Sequence, residues 1–102
     1  MIIYNVTINV EKDVMDSWKK WMTDVHIPEV MATGYFQEHK FLRLLDEVPG
    51  NTGETFAVQY IAESMDKLNT YIAEHAVEMR NKHEEAYKGK FVAFRTTLEV
   101  IG

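Results

Sequence analysis

Ile2, Tyr4, Val6, Ile8 and Val10 alternate with Ile3, Asn5, Thr7 and Asn9, the period-two pattern of a strand with one buried face. The period then lengthens. After Asp13, a good N-cap residue, Val14, Trp18, Trp21 or Met22, and Val25 fall at helical spacing, while Ser17, Lys19, Lys20, Thr23 and Asp24 lie mostly off that stripe. Pro28 disfavours helical backbone at Ile27 but suits the first position of a new helix. The pattern therefore predicts a bend or restart near His26 and a short turn from Pro28 to Thr33 closed by Gly34. Tyr35 to Leu45 is rich in aromatic and branched residues without clean alternation, which predicts a strand covered in part on both faces and compatible with a bulge.

Between Asp46 and Glu54, Pro49-Gly50-Asn51 and Gly53 concentrate turn formers, predicting a loose hairpin to an antiparallel partner strand, Thr55 to Ala62. Ser64 then caps a long helix whose inner stripe is Met65, Leu68, Ile72, His75 or Ala76, Met79, His83 and Ala86, ending at Gly89. Phe91 to Ile101 reads as the last strand. Strand, helix, strand, strand, helix, strand is the ferredoxin-like βαββαβ order of an α+β fold, in which right-handed crossovers put both helices on one face of a four-stranded antiparallel sheet. With 102 residues, 46% of them hydrophobic, the chain can fill one core, so residues 1-102 are expected to form a single domain.

If Tyr4, Val6 and Ile8 face the helices, Ile3, Asn5, Thr7 and Asn9 face away. The last strand offers either Val92, Phe94, Thr96, Leu98 and Val100 or Phe91, Ala93, Arg95, Thr97, Glu99 and Ile101, and on hydrophobicity the first set is the better core face. The open face would then mix Phe91, Ala93, Thr97, Ala57, Gln59 and Ile61 with Asn5, Thr7 and Arg95. It is too apolar for plain solvated surface and too polar for a dry core, so the expected partner is a second copy: a homodimer through the open sheet face.

Charge and composition narrow the classes. Sixteen acidic residues against eleven basic ones give a formal charge of -5, the wrong sign for neutralising phosphates, so no nucleic-acid partner is expected. There is no apolar run of the ~18 residues a membrane span needs, and the opening Met1 to Thr7 lacks the regions of a signal peptide. No membrane role is expected, and the default location is cytoplasmic. Without cysteine, disulfides, thiolate chemistry and cysteine zinc sites are excluded.

From Trp18 and Trp21 the chain runs into His26-Ile27-Pro28 and then Gly34-Tyr35-Phe36. This aromatic helix, His-x-Pro step and glycine opening an aromatic strand resembles the dimeric α/β-barrel superfamily, its EthD-like members in particular. The whole chain looks like a small bacterial family of that superfamily described only as a domain of unknown function. The resemblance implies a dimer of ferredoxin-like subunits with packed sheets and, in many members, a pocket between sheet and helices. Superfamily relatives include cofactor-independent monooxygenases, muconolactone isomerases, polyketide cyclases, chlorite dismutases and haem-degrading enzymes, a range too broad to choose a reaction.

His26, at the step between helix and Pro28, suits general acid or base work at a pocket mouth. Equally, a helix-ending His bonds free carbonyls and favours the negative end of the helix dipole. Trp18 and Trp21, with Phe36, Phe41, Phe56 and Tyr60 from the sheet, would line an apolar pocket for a small aromatic ligand or simply fill the core. Tyr35, His39 and Arg43 alternate along the second strand, where they would hold a carboxylate or phenolate or serve as exposed edge polarity. His75, Met79 and His83 recur on one helix face, but the two His lie two turns apart, ~12 Å, too far to share one ion, so no metal site and no cofactor are expected. No phosphate loop or serine elbow occurs. The sequence thus points to a small dimeric ferredoxin-like protein of unestablished function, with a small apolar or aromatic ligand as the expected occupant of any pocket. The alternatives are a cofactor-independent oxygenase, isomerase or cyclase using His26 as acid/base, and a regulatory module with no pocket.

Overall fold

The computed structural model describes residues 1–46, 49–50 and 52–102; the expected hairpin turn at 46–54 falls partly outside them. Four strands, β1 (Ile2–Val10), β2 (Glu38–Arg43), β3 (Glu54–Ala62) and β4 (Phe91–Glu99), form one sheet in the order β2-β3-β1-β4, every neighbouring pair antiparallel. Two helical segments, one after β1 and one after β3, complete the βαββαβ order, so the chain has the ferredoxin-like α+β fold.

The first helix neither bends off nor restarts at Pro28. It runs as Met15–Trp21, a π turn over Met22–His26, and Ile27–Ala32. Proline lacks an N–H and its ring crowds the carbonyl one turn back; the wider turn immediately before Pro28 absorbs that mismatch and keeps one continuous rod. The second helix has the same build: Met65–Tyr71, a π turn over Ile72–Ala76, and Val77–Ala86. Ser64 caps it as expected, its Oγ accepting the Lys67 N–H at 3.3 Å. Asp13 does not cap the first helix: its carboxylate instead pairs with Lys90 Nζ at 2.8 Å, tying the start of that helix to the approach to β4. Gly34 and Gly89 follow the two helices with φ of 85° and 75°, left-handed backbone that favours glycine after a helix end.

Two strand expectations need correction. β2 begins at Glu38 rather than Tyr35, because Phe36 is buried against Tyr4, Tyr60 and Tyr71 and only Gln37 N–H begins to bond toward β3, at Ile61 O. The face of β4 is the reverse of the one hydrophobicity favours. Register sets Ala93 opposite Ile8, Arg95 opposite Val6 and Thr97 opposite Tyr4, so Phe91, Ala93 and Arg95 turn toward the helices. Val92, Phe94 and Leu98, expected in the core, stand on the open face at 70%, 62% and 44% exposure. That face therefore carries Ile3, Asn5 and Thr7 of β1, Ala57, Gln59 and Ile61 of β3, and the most apolar residues of β4. The core lies on the other side, where Ile8, Val10 and Val58 meet Trp18, Met22, Val30 and Leu68, all fully buried. Truncating Trp18 there would cost roughly 3–5 kcal/mol.

Candidate functional site

Between the sheet and the helices a cavity of about 30 Å³ remains open, room for a few water-sized groups. β1 supplies Tyr4, Val6 and Ile8 to its walls, β3 supplies Val58 and Tyr60, the first helix Met22, His26 and Val30, and the second helix Tyr71, Ala76, Met79, Arg80 and His83. Arg95 of β4 completes it. The last turn of the π segment places His26, and the second helix brings His83 to it, their ring centroids 5.4 Å apart.

Each imidazole is held by aromatic neighbours. Trp21 stacks on His26 at 4.9 Å and Phe91 lies flat on His83 at 3.9 Å, with 3° between the planes. Trp18 Nε1–H donates to His83 Nε2 at 3.0 Å. Since Nε2 accepts that bond, a neutral His83 carries its proton on Nδ1. His26 Nδ1 is buried with no hydrogen-bond partner. Burial pushes the His26 pKa down to about 4, aided by Arg95 and Lys82 and opposed by Glu29. Burial also pushes His83 down to about 3, with His26 and Arg95 adding to it. Both rings are therefore neutral at pH 7, the state in which a ring nitrogen can accept a proton. Burial raises the Tyr60 and Tyr71 phenols well above their ordinary value, which keeps them protonated as hydrogen-bond donors.

Of the residues expected to form the site, the structure brings His26 and Tyr60 to this cavity. Trp21 stands behind His26 as its stacking partner, while Trp18 and Phe36 are buried in the aromatic core and do not line the cavity. Tyr35, His39 and Arg43 do not converge. Tyr35 precedes β2 and its hydroxyl donates to Glu74 at 2.8 Å. His39 lies along a shallow groove with Ile27, Pro28, Met31 and Phe41. Arg43 pairs with Glu54 and covers the Phe56 ring. The polar groups that do converge, His83, Arg80, Arg95, Tyr4 and Tyr71, were not assembled by sequence reasoning. The signal available was Arg95 itself, on the alternate set of β4 that hydrophobicity rejected.

An antiparallel four-stranded sheet with two helices on one face and a cavity of mixed polar and apolar lining beneath them defines a ferredoxin-like α+β protein with an internal cavity. The sequence profile of the family described as "Domain of unknown function (DUF4286)" matches residues 1–101, and the chain belongs to that family. Among solved structures, it is similar to an EthD (ethyl tert-butyl ether D) family protein from Bacillus halodurans at 11% identity and a TM-score of 0.72, covering 99% of this chain and 100% of that one. It is also similar to a protein from Deinococcus radiodurans described provisionally as an antibiotic biosynthesis monooxygenase: 11% identity, TM-score 0.68, 100% of this chain and 94% of that one. A third, from Arabidopsis thaliana, shares 14% identity at a TM-score of 0.64, with 98% of each chain covered. At these identities the likeness is one of fold. No curated protein matches the chain.

Proposed function

We propose that the chain acts as a single-domain homodimer that binds a small ligand in the cavity between sheet and helices, in the cytoplasmic setting expected from the sequence. The observation that carries this reading is the group of polar side chains that converges on the cavity. His26, His83, Tyr60, Tyr71 and Arg95 surround a space that no side chain fills, and His26 Nδ1 is left without a partner. A buried polar atom without a hydrogen bond costs ~1–3 kcal/mol, a cost that apolar residues at the same positions would avoid and that a bound ligand offsets. The expected apolar or aromatic ligand fits only in part: drug-sized pockets run to ~300 Å³ or more, so a compact ligand, or one end of a larger one, enters here.

The second copy packs on the open sheet face. Across β1, β3 and β4 that face carries no charged side chain between Ile3 and Asn9, Thr55 and Ile61, or Val92 and Leu98 in the outward set, and it exposes Phe94 and Val92. On β2 it adds one acid and one base, Glu38 and Lys40. A two-fold copy meets such a surface without like-charge conflict. At its centre Asn5 donates to Thr7 and Thr96 while its Oδ1 is buried and partnerless, an acceptor that a partner donor could satisfy.

A second reading, an enzyme of the cofactor-independent kind with His26 as acid/base, is favoured by the neutral, unpartnered His26 ring beside Arg95. His26→Ala that still folds but loses turnover of phenolic and polyketide-like substrates would favour it; a variant that only unfolds makes His26 a packing residue. Native mass spectrometry of gently purified protein tests the main reading. The expected species is twice 11.9 kDa with a discrete added mass, and a bare monomer at micromolar concentration overturns it.

A further inference from the structure

Of the residues that line the cavity, twelve are buried and only Arg80 and Arg95 reach solvent. These two arginines are therefore the lining residues that open to solvent. No Asp or Glu lines the cavity, although the chain holds sixteen of them. Of the three arginines, Arg43 is paired with Glu54, whereas neither Arg80 nor Arg95 has a carboxylate partner among the described residues. Arg80 Nη2 donates to the Tyr4 hydroxyl at 3.5 Å. The rest of the lining combines the apolar Val6, Ile8, Met22, Val58 and Met79 with the rings of Tyr4, His26, Tyr60, Tyr71 and His83. Two unneutralised cations over a short apolar recess, in a protein of net charge -5, complement a ligand with an anionic head and a short hydrocarbon tail.

We propose that the cavity binds a short-chain monocarboxylate, its carboxylate clasped by Arg95 and Arg80 and its tail among Val6, Ile8, Met22, Val58 and Met79. Guanidinium is suited to the task because its planar fork matches the two carboxylate oxygens. The Tyr4 hydroxyl already lies on Arg80, and the fields of both arginines reach the Tyr71 hydroxyl, so neutral donors flank the charged ones. Inorganic phosphate has the charge but no tail to fill the apolar recess. The recess, at about 30 Å³, limits the tail to a few carbons. This assignment rests on the cavity being the ligand site, as proposed above.

The experiment is a titration of the full chain with acetate, propionate and butyrate, each against its neutral amide, read by NMR from the ring signals of His26 and His83. Expected are saturable shifts with the carboxylates, no saturation with acetamide or propionamide, and binding at least ~10-fold weaker in Arg95→Met. Arg95→Lys, which keeps the charge but loses the fork, is expected to fall between. Amides binding as tightly as carboxylates would overturn the anion assignment while leaving the cavity as a ligand site. Inorganic phosphate saturating in place of the carboxylates would overturn the tail, and an unchanged affinity in Arg95→Met would overturn the clasp. The absence of any shift with carboxylates, set beside a neutral mass retained in native mass spectrometry, would overturn the assignment and spare the site.

Discussion

Lowering the pH from 7 to 5 should destabilise this protein well before its carboxylates titrate. Both interior imidazoles have folded-state values, about 4 for His26 and about 3 for His83, below the ordinary 6.5 of an unfolded chain. For a group whose folded value is depressed, the stability it contributes is fully present above the unfolded value and is lost as the pH falls below it. At pH 5 the unfolded chain has taken up nearly two protons that the native state has not, and each unit of pH costs about 1.4 kcal/mol per proton. Integrated from pH 7, the pair amounts to roughly 4 kcal/mol, a large fraction of the 5–15 kcal/mol that small domains possess. Urea unfolding by circular dichroism at pH 7, 6 and 5 measures it directly. His83→Leu, which removes one of the two groups, should show about half the slope with pH. A stability that is flat between pH 7 and 5 would refute the claim that these rings are buried and neutral.

Trp18→Phe keeps the aromatic core contact but removes the donor to His83 Nε2. It should cost ~1–3 kcal/mol in chemical denaturation, and the ring-nitrogen NMR signals should show His83 as a mixture of tautomers; a single Nδ1-protonated form persisting in the variant would contradict the assigned role. Phe94→Glu places a charge on the open face where Phe94 is 62% exposed in a single subunit. Light scattering should then give a folded species of 11.9 kDa, whereas an unchanged dimer would exclude that face as the contact. Gly53→Ala should lose ~1–3 kcal/mol, because a Cβ at Gly53 would overlap the Val10 carbonyl oxygen at the end of β1; a thermal midpoint equal to that of the parent would show that the loop can move aside.

The order of elements was legible because all but β2 declare their period. β1 alternates from Ile2 to Val10 with Ile3 the one apolar residue of its outward set, Ser64 opens the second helix, and Gly34 and Gly89 close the two helices. Faces were harder to read than elements. β4 has an apolar set and a mixed set, and a rule that sends the apolar set inward fails when the outward face is itself apolar and the inward one borders a cavity lined in part by polar side chains. Val92 and Phe94 consequently point out while Arg95 points in. The same difficulty hid most of the site. Arg80 and His83 sit three apart on the second helix and Arg95 lies on β4, so only the register of β4 on β1 and the docking of the helix bring them to His26. Tyr35, His39 and Arg43 looked like a set because they share a spacing, but Tyr35 lies before the strand begins, and the spacing has no meaning outside it. The π turn at Met22–His26 was visible only as the conflict that Pro28 creates in a helical stripe.

The cavity as ligand site is tested most directly by comparing native mass spectra of the parent protein and Ala76→Val, both purified gently. Ala76 is buried against the cavity, and two added carbons take up much of its about 30 Å³. A dimer is expected in both, with the discrete added mass present on the parent and absent from the variant. The same added mass on both proteins would place the ligand elsewhere and rule out the cavity as its site.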